Sequence, residues 1–519
     1  MTAVRPLGGR VAVHRDRPVA ALPPVPPGFA IDLDADTKRL SDGTLFGGSP
    51  ARAIRLTAAG SRALAELLDG PVRSTAAGIL ARRLTDAGLA HPVRQALDPA
   101  GAAALSVTVV IPVRDRAAML DRCLAAVGRD HAVVVVDDGS ADQRSVAAIA
   151  LRRGAVLCRR DRSGGPAAAR NTGLAGVQTE LVAFLDSDCV PPPGWIAALA
   201  GHLADPLVGA VAPRIVPTSW AARPAKAARY EAARGSLDLG TRPARVLPGS
   251  RVSYVPTAAL LVRRAALAAV AAGHDVFDPA LRYGEDVDLV WRLHRAGWRI
   301  RYEPGIEVAH ESPAGWLGLL VRRFRYGSSA GPLARRHPAS MAPLVLQPWP
   351  AVAVTALLAR RPAVGLAAAV GGWLHLAGLV RRAGIPADGA PAATLTAVGQ
   401  TWLGIGRYTT QFAAPLLAVL LAAPGGTSAA RRWGRRAAAA SLLLGPALTG
   451  YAQRKPRLDP VTFTLAHIAD DVCYGAGVWA GCARARTLVP VTPVISWRPL
   501  RLPAAGANPA PVERVDPDG

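Results

Sequence analysis

Cysteine is scarce in this sequence of 519 residues. Its five cysteines include no Cys-x-x-Cys pair, and an odd number cannot pair completely within one chain. This pattern argues against a cysteine-built zinc site and against a disulfide framework, and it fits a reducing compartment. The arginine-rich N-terminus is also not followed by the apolar stretch of a secretory signal. We therefore expect the protein to act on the cytoplasmic side of the cell membrane.

Acidic residues are few relative to basic ones. Lysine and arginine number 61 against 37 aspartate and glutamate, which gives a formal net charge of +24. A positive field attracts nucleotide diphosphates, nucleic acid and anionic lipid head groups alike. A basic surface that serves only solubility has the same composition. Charge alone does not choose among these interpretations.

The N-terminal part of the chain divides in two. Residues 1–28 are rich in proline and arginine and predict a flexible arm. In residues 29–97, glycine turns flank short strand patterns, and two helical patterns follow, the second over residues 75–87. This order predicts a small module of the winged-helix kind.

Residues 105–325 alternate between continuous apolar strands and amphipathic helices. The pattern is typical of a parallel sheet that is buried on both faces, and it predicts an α/β fold. Ligands of such sheets bind beyond the carboxyl ends of the strands, so polar residues there are candidates for a site. The predicted strands are residues 107–111, 132–136, 155–158 and 181–185, and the predicted helices are residues 116–127, 142–153 and 166–176.

Acidic pairs follow two of these strands. Asp137 and Asp138 end the second strand, where they can accept hydrogen bonds from a nucleobase and a ribose hydroxyl. A cap for the next helix is the alternative interpretation of that segment. Asp186 and Asp188 follow the fourth strand. Such oxygen ligands suit Mg²⁺ or Mn²⁺, and an ion of this kind can bridge a diphosphate and neutralise its charge as it departs.

Three later segments carry further candidate residues. A glycine-rich turn opens a helix whose Arg170 and Asn171 can reach a diphosphate or a base. Glu285 and Asp286 lie at the start of another helix, where a carboxylate can take a proton from an attacking hydroxyl. His310 ends a short strand and is a candidate for a third metal ligand, and the alternative is a structural histidine.

Hydrophobic residues dominate the region 340–485. Residues 362–380 barely reach the roughly 20 apolar residues that span a membrane. Arginine pairs end several of the apolar segments, as basic flanks do at a cytoplasmic face. We predict a hydrophobic helical region associated with the membrane, and the alternative is a soluble helical subdomain that caps the preceding domain. The proline-rich residues 486–519 predict a disordered tail.

The order of motifs resembles one known family. PVRD, DDGS, GGPAAARNTGL, FLDSD, PPPGW, GEDVDLVWRL and VAH follow one another as in inverting family-2 glycosyltransferases with the GT-A (nucleotide-diphosphosugar transferase) fold. The resemblance implies a UDP-sugar donor and a β-linked product from an α-linked donor. The QxxRW motif of large processive polysaccharide synthases is absent after GED, which puts a synthase of that type in doubt.

The same resemblance assigns roles to the candidate residues. The resemblance is compatible with donor contact by Arg170 and Asn171. It is also compatible with donor contact by Asp186, in addition to the role of Asp186 at the metal. The roles it implies are the uridine side of the donor for Asp137 and Asp138, the Mg²⁺ or Mn²⁺ site for Asp186, Asp188 and His310, and the general base for Asp286, with Glu285 beside it.

The N-terminal module carries a second resemblance. Its segment RLSDGTLFGGSPARAIRLTAAGSRALAELL is similar to PqqD-like peptide-recognition domains, which implies a peptide contact by residues 29–97. Such a module fused to a family-2 transferase and an Ala/Leu-rich C-terminal region resembles the mycofactocin-system glycosyltransferases. That resemblance implies transfer of β-linked glucose from UDP-glucose to pre-mycofactocin, a peptide-derived redox cofactor.

Two other functions stay open. A membrane-associated transferase that extends a cell-wall or lipid-linked glycan would use the hydrophobic region and the positive charge, and it would contact anionic membrane. A nucleic-acid or leader-peptide binding protein with a degenerate catalytic domain is the third hypothesis. Every carboxylate of the motifs is present, which argues against degeneracy, and we expect no nucleic-acid partner.

Overall fold

The computed structural model describes residues 22–40, 43–93, 101, 104–219, 224–312, 315–382, 387–423 and 428–496. The N-terminal module contains β1 (Ile31–Leu33), β2 (Lys38–Arg39), β3 (Thr44–Gly47), β4 (Arg52–Arg55), α1 (Ala58–Asp69), α2 (Thr75–Ala87) and β5 (Ala90–Pro92). Strand β1 pairs with β5, and β2, β3 and β4 form a second small sheet. Leu45, Leu64 and Leu84 fill the core between sheets and helices. Helix α2 has the predicted bounds because Ser74 caps its first turn and Gly88, at φ +70°, ends it.

The described end of the predicted flexible arm is packed. Val25 is buried, and its backbone N–H donates to the carbonyl of Gly78 in α2 at 3.0 Å. The backbone N–H of Gly28 likewise donates to the carbonyl of Val72 at 2.9 Å. The prediction is therefore wrong for residues 22–28, because apolar side chains within the proline-rich run complete the module's core. Residues 1–21 lie outside the described chain.

Buried ion pairs join the N-terminal module to the domain that follows. Both Nη atoms of Arg82 donate to the carboxylate of Asp205, at 2.7 and 2.8 Å, and both side chains are almost fully buried. Asp86 pairs with Arg299 at 2.8 Å nearby. The module is thus docked on the sheet domain through charges that water does not screen.

We expect Arg82→Ala to lower the free energy of unfolding by about 3–5 kcal/mol, because it leaves the Asp205 carboxylate buried without its partner. Denaturant titration followed by circular dichroism measures this. Arg73→Ala is the matched control, since Arg73 and Asp69 pair on the surface, where such pairs contribute at most about 1 kcal/mol. Equal losses in the two variants would contradict the expectation.

The second domain is a sandwich of helices around one large sheet. Nine strands of the described chain form this sheet, in the order β10-β14-β11-β13-β9-β6-β7-β8, with β12 paired to β14. The elements are β6 (Val107–Val113), α3 (Ala117–Val127), β7 (Ala132–Asp137), α4 (Gln143–Arg153), β8 (Val156–Arg159), α5 (Pro166–Leu174), β9 (Leu181–Leu185), β10 (Cys189–Val190), α6 (Trp195–Ala200), β11 (Val208–Thr218), α7 (Lys226–Arg234), β12 (Ala244–Val246), β13 (Ala259–Arg263), α8 (Arg264–Ala268), α9 (Glu285–Arg295) and β14 (Arg299–Glu311).

The parallel strands of this sheet confirm the α/β prediction. Strands β9, β6, β7 and β8 run parallel, and β13 is antiparallel to both β9 and β11. Along β6, Val109 and Ile111 pack into one core layer and Val110 into the layer on the opposite face, so both faces are buried. Val113 aligns with Asp137, which brings the polar loops after the parallel strands to one edge.

A helical region follows the sheet domain. Its elements are α10 (Trp316–Gly327), α11 (Ala330–Arg336), β15 (Val345–Leu346), α12 (Pro348–Leu358), α13 (Pro362–Arg382), α14 (Ala390–Phe412), α15 (Ala414–Ala422), α16 (Ala429–Arg454), α17 (Pro460–Ala485) and β16 (Val494–Ile495). Helix α17 is central and contacts α10, α11, α14 and α16. Among the helices that the structure describes, α13 alone is long and apolar enough to cross a membrane, and 17% of its most apolar window is buried.

The helices around α17 approach one another closely. A Cβ at Gly475 would overlap the backbone carbonyl of Gln411, so α17 and α14 touch backbone to backbone there. Next to this crossing, the guanidinium of Arg234 in α7 pairs with Asp470 at 2.7 Å and with Asp471 at 3.0 Å. Both carboxylates are buried on α17. The helical region is therefore fixed to the sheet domain by tight packing and by buried charge.

Residues 486–496 depart from the predicted disordered tail. Val494–Ile495 pairs in parallel with Val345–Leu346, and the hydroxyl of Tyr408 donates to the carbonyl of Val491. The compositional prediction failed here because a short apolar stretch, VPVTPVIS, finds a partner strand. Residues 497–519 lie outside the described chain.

Candidate active site

A cavity of about 840 Å³ opens at the carboxyl edge of the large sheet, between the sheet domain and the helical region. One side carries most of the predicted site residues, and the other side is formed by α10, α14 and α17. The predicted residues that line it are Arg170, Asp186, Asp188, Glu285, Asp286 and His310.

Arg170 joins two of the acidic motifs. Helix α5 begins after Gly165 with Pro166 in its first turn, and it carries Arg170 into the floor of the cavity. The buried guanidinium donates to Asp186 at 2.7 Å and to Glu285 at 2.8 Å. Burial lowers the pKa of Arg170, but the two carboxylates outweigh burial and raise it. Arg170 thus stays charged and holds both acids in place.

Asp188 and His310 meet where two strands pair. Cys189 of β10 lies opposite His310 of β14, which brings His310 Nε2 to 3.7 Å from Asp188 Oδ1. Arg116 also pairs with Asp188. Burial raises the pKa of the Asp188 carboxyl, but His310 and Arg116 together hold it below its usual value. Asp188 is therefore an anion at neutral pH.

The predicted metal ligands lie on one edge without forming a finished cluster. Within the described residues, no three His, Cys, Asp or Glu side chains converge as they would around a metal ion. Asp188 and His310 are adjacent, whereas Asp186 faces Arg170. Two carboxylates and an imidazole fit Mg²⁺ or Mn²⁺, provided that the Asp186 carboxylate exchanges Arg170 for the cation.

Glu285 and Asp286 begin helix α9 at the cavity wall. Gly284 precedes them at φ +82°, and a Cβ there would lie 2.9 Å from side-chain carbons of Ser329 and Leu333. Burial, with the charge of Glu285, raises the pKa of Asp286 to about 7. The side chain retains some exposure, because one of its faces is turned to the cavity. A carboxylate with this pKa can accept a proton near neutrality.

Asp137 and Asp138 have internal partners. Asp137 is buried, accepts the backbone N–H of Ser140 at 2.8 Å and pairs with Arg159. Asp138 accepts the backbone N–H groups of Gly164 and Gly165, at 3.0 and 2.8 Å. Asp138 thereby holds the glycine-rich turn before α5, and neither acid lines the cavity. Their predicted contact with the donor stays a prediction.

Asn171 faces away from the cavity. Its side-chain amide donates to Asp275 and to the carbonyl of Phe277, and its carbonyl oxygen accepts the N–H of Phe277 at 2.9 Å. In this arrangement Asn171 fastens the segment before α9. Asn171 and Arg170 were predicted together as contacts of the donor, but in the structure only Arg170 lines the cavity.

The side of the cavity that the helical region forms was not predicted from the sequence. Tyr326, Tyr408, Gln411, Phe412 and Tyr474 line the cavity from α10, α14 and α17. The one available signal was the polar run RYTTQ inside an otherwise apolar segment, since a polar stripe on a buried helix needs a partner or a solvent-filled space. Of the two interpretations of the helical region, the capping subdomain was the one that implied contact with the sheet domain.

Comparison with known proteins identifies the family. A sequence model described as Glycosyl transferase family 2 matches residues 108–270, and with the sheet order it confirms the predicted GT-A type of α/β fold. Part of the chain is also 36% identical, over 100 residues, to Glycosyltransferase AglE of Haloferax volcanii, which covers 17% of this chain and 33% of that protein. A mannosyltransferase from Pyrobaculum calidifontis, solved with GDP-Man and Mn²⁺, is 19% identical, with a TM-score of 0.39 over 72% of this chain and 86% of its own.

The similarity to one group of proteins extends over nearly the whole chain. The Pre-mycofactocin glycosyltransferases of two Mycobacterium tuberculosis strains are each 39% identical to it over 496 residues, which cover 91% of this chain and 98% of theirs. Identity of this extent includes the N-terminal module and the helical region as well as the sheet domain. The chain therefore belongs to the pre-mycofactocin glycosyltransferase family, within glycosyltransferase family 2.

Proposed function

We propose that this chain is a metal-dependent inverting hexosyltransferase that transfers glucose from UDP-glucose to pre-mycofactocin with a β linkage. The observation that carries the reaction is the position of Asp286. Its carboxylate, with a pKa of about 7, shares one cavity with Asp186, Asp188 and His310. Family membership supports pre-mycofactocin as the acceptor.

In the proposed reaction the acceptor oxygen attacks the anomeric carbon of the donor. Asp286 takes the proton of that hydroxyl, the bond between the sugar and the diphosphate breaks, and the configuration inverts. Asp186, Asp188 and His310 would hold Mg²⁺ or Mn²⁺, which neutralises charge on the departing diphosphate. Burial raises the pKa of Glu285, and the ion pair with Arg170 opposes that rise and orients the carboxylate beside Asp286. The negative charge of Glu285 in turn makes Asp286 a stronger base.

Release of UDP and mass spectrometry of the product test this proposal. Purified protein with UDP-glucose, Mg²⁺ or Mn²⁺, and pre-mycofactocin should release UDP and give hexose adducts of the acceptor. UDP release that needs no metal would contradict the metal role. A preference for another nucleotide sugar would contradict the donor, and modification of a lipid-linked glycan alone would contradict the acceptor.

The rate of transfer should depend on pH through Asp286. Only the ionised carboxylate can accept a proton, and its pKa is raised to about 7. We expect kcat to rise roughly tenfold per pH unit below that value and to level off above it. A profile from pH 5 to 9 with saturating donor and Mn²⁺ measures this. A flat profile across pH 6–8, with the chemical step limiting, would exclude Asp286 as the base.

We also propose that the chain lies at the cytoplasmic face of the cell membrane. Leu366 and Leu374 of α13 are 66% and 59% exposed, and Arg381 and Arg382 end the helix. Sedimentation with membranes that persists in high salt but not in carbonate would support surface association. The same exposed helix favours the second candidate function, extension of a cell-wall or lipid-linked glycan. Recovery of the protein in the soluble fraction at low salt would count against both.

For residues 29–97 we keep the proposal of a peptide contact within a winged-helix-like module. Strand β4 lies at the edge of its small sheet, and its Arg52 and Arg55 are exposed. An extended peptide can add to such an edge, and acidic side chains would suit these arginines. Titration of an acidic precursor peptide against the protein and an Arg52→Glu variant tests the contact.

A further inference from the structure

Several tyrosines line the cavity that contains Asp286. Tyr326 lies on α10, Tyr474 on α17, and Tyr254 on the segment before β13, and all three line the cavity together with Asp286. Burial raises the pKa of each phenol. The charge of Asp286 raises the pKa of Tyr254 and Tyr326 further. Two of the three rings are thus electrostatically coupled to the proposed base.

The hydroxyl groups of these three tyrosines have no hydrogen-bond partner among the residues that the structure describes. Four other tyrosines of the described chain differ. The hydroxyls of Tyr230, Tyr302, Tyr408 and Tyr451 each bond to a carboxylate or a backbone carbonyl. None of the three hydroxyls is among the buried polar atoms without a partner, so they reach the open cavity, where the polar atoms of a ligand can hydrogen-bond to them.

Besides the tyrosines, this wall carries two arginines and several apolar side chains. Arg322 of α10 pairs with Glu231 at 2.9 Å, and Arg407 of α14 lies 3.7 Å from Asp471. A phosphate on an acceptor would therefore compete with Glu231 for Arg322, whereas the Arg407 side chain is 59% exposed and only loosely paired. Apolar side chains that line the cavity from this region are Leu333, Met341, Leu344, Phe412 and Val478.

From this arrangement we propose that α10, α14 and α17, together with Tyr254, form the acceptor subsite, which takes a ring-bearing alcohol. The ring lies among the side chains of Tyr254, Tyr326 and Tyr474, whose hydroxyls hydrogen-bond it, and the acceptor hydroxyl is turned to Asp286. This deepens the proposed function and rests on it, since Asp286 is the base. The close contact of Gly475 with Gln411 fixes the backbone beside Tyr474, so the wall is preorganised.

The test measures acceptor binding separately from turnover. Calorimetry gives the Kd of pre-mycofactocin for the UDP-bound protein in the wild type, Tyr326→Phe, Tyr474→Phe and the double variant. Each loss of a hydroxyl should raise this Kd roughly five- to tenfold, and the double variant should lose more, while the Kd of UDP stays constant. Tyr451→Phe is the matched control, because the Tyr451 hydroxyl donates to the carbonyl of Leu458 outside the cavity. The Kd of pre-mycofactocin for this variant should equal that for the wild type.

Two results would overturn the subsite. One is an unchanged Kd of pre-mycofactocin in the double variant. The other is tighter binding of a polyprenyl phosphate in vesicles than of pre-mycofactocin. Release of UDP from UDP-glucose by the wild type is measured in parallel. Its absence, with the expected changes in Kd, would contradict the proposed reaction and leave the subsite standing.

Discussion

Asp286→Asn is expected to reduce kcat by about 10²–10⁴ and to leave the affinity for UDP-glucose nearly unchanged. Asparagine has the shape of aspartate but cannot accept the proton of the acceptor hydroxyl. The backbone N–H of Val287 donates to Asp286 Oδ1 at 2.8 Å, and an amide oxygen can accept that bond equally well. The start of α9 should therefore keep its geometry. Single-turnover transfer with a saturating donor, together with donor calorimetry, separates the chemical step from binding.

Asp142→Asn is the matched control for this change. Asp142 is exposed and caps α4 by accepting the N–H of Ser145 at 3.1 Å, and asparagine caps helices equally well. Its kcat should stay at the wild-type value. If Asp286→Asn kept more than a tenth of wild-type kcat, with chemistry limiting, another group would have to be the base.

Asp188→Ala is expected to abolish the part of donor binding that depends on metal. The change removes the carboxylate that pairs with Arg116 and lies beside His310. UDP-glucose affinity in the presence of Mn²⁺ should then fall to the value measured without it. Calorimetry of UDP-glucose with and without Mn²⁺, and electron paramagnetic resonance of bound Mn²⁺, measure the effect.

Asp69→Ala controls for the loss of a carboxylate, because Asp69 lies on the exposed surface of the N-terminal module. Its metal-dependent affinity should match the wild type. Equal responses to Mn²⁺ in the wild type and Asp188→Ala would exclude Asp188 as a ligand.

The sheet domain was the part most open to prediction from sequence. The strand at residues 181–185 has the predicted bounds, because a continuous apolar run is what a strand buried on both faces requires. The position of Asp186 and Asp188 beyond its carboxyl end followed from the general geometry of such sheets. These conclusions need only local patterns and one topological rule.

The partners of individual side chains were not predictable in the same way. Asp138 accepts hydrogen bonds from Gly164 and Gly165, although β8 and a loop lie between them in the sequence. Arg170 meets Glu285 across 115 positions of sequence. No local pattern encodes such pairings, since several carboxylates at one sheet edge could each accept the same guanidinium.

The helical region shows most clearly where prediction from the sequence fails. Its apolar segments favoured membrane association over a packed capping subdomain, although membrane spans and packed helices share a composition. Helix α14 was missed as an element, since TTQF and the glycines within it interrupt the apolar pattern. Its contact with the cavity depends on tertiary packing against α17, which composition does not describe.

The late position of α17 in the chain has a consequence for how each molecule matures on the ribosome. Synthesis runs from the N-terminus, so the whole sheet emerges before residues 460–485 exist. Until then Arg234 and Arg323 lack the carboxylates of Asp470 and Asp471, and the cavity has no wall at Tyr474. A newly made chain thus carries every acid of the proposed donor side while it is still incomplete. Translation that stalls before α17 leaves a product that is open on the opposite side.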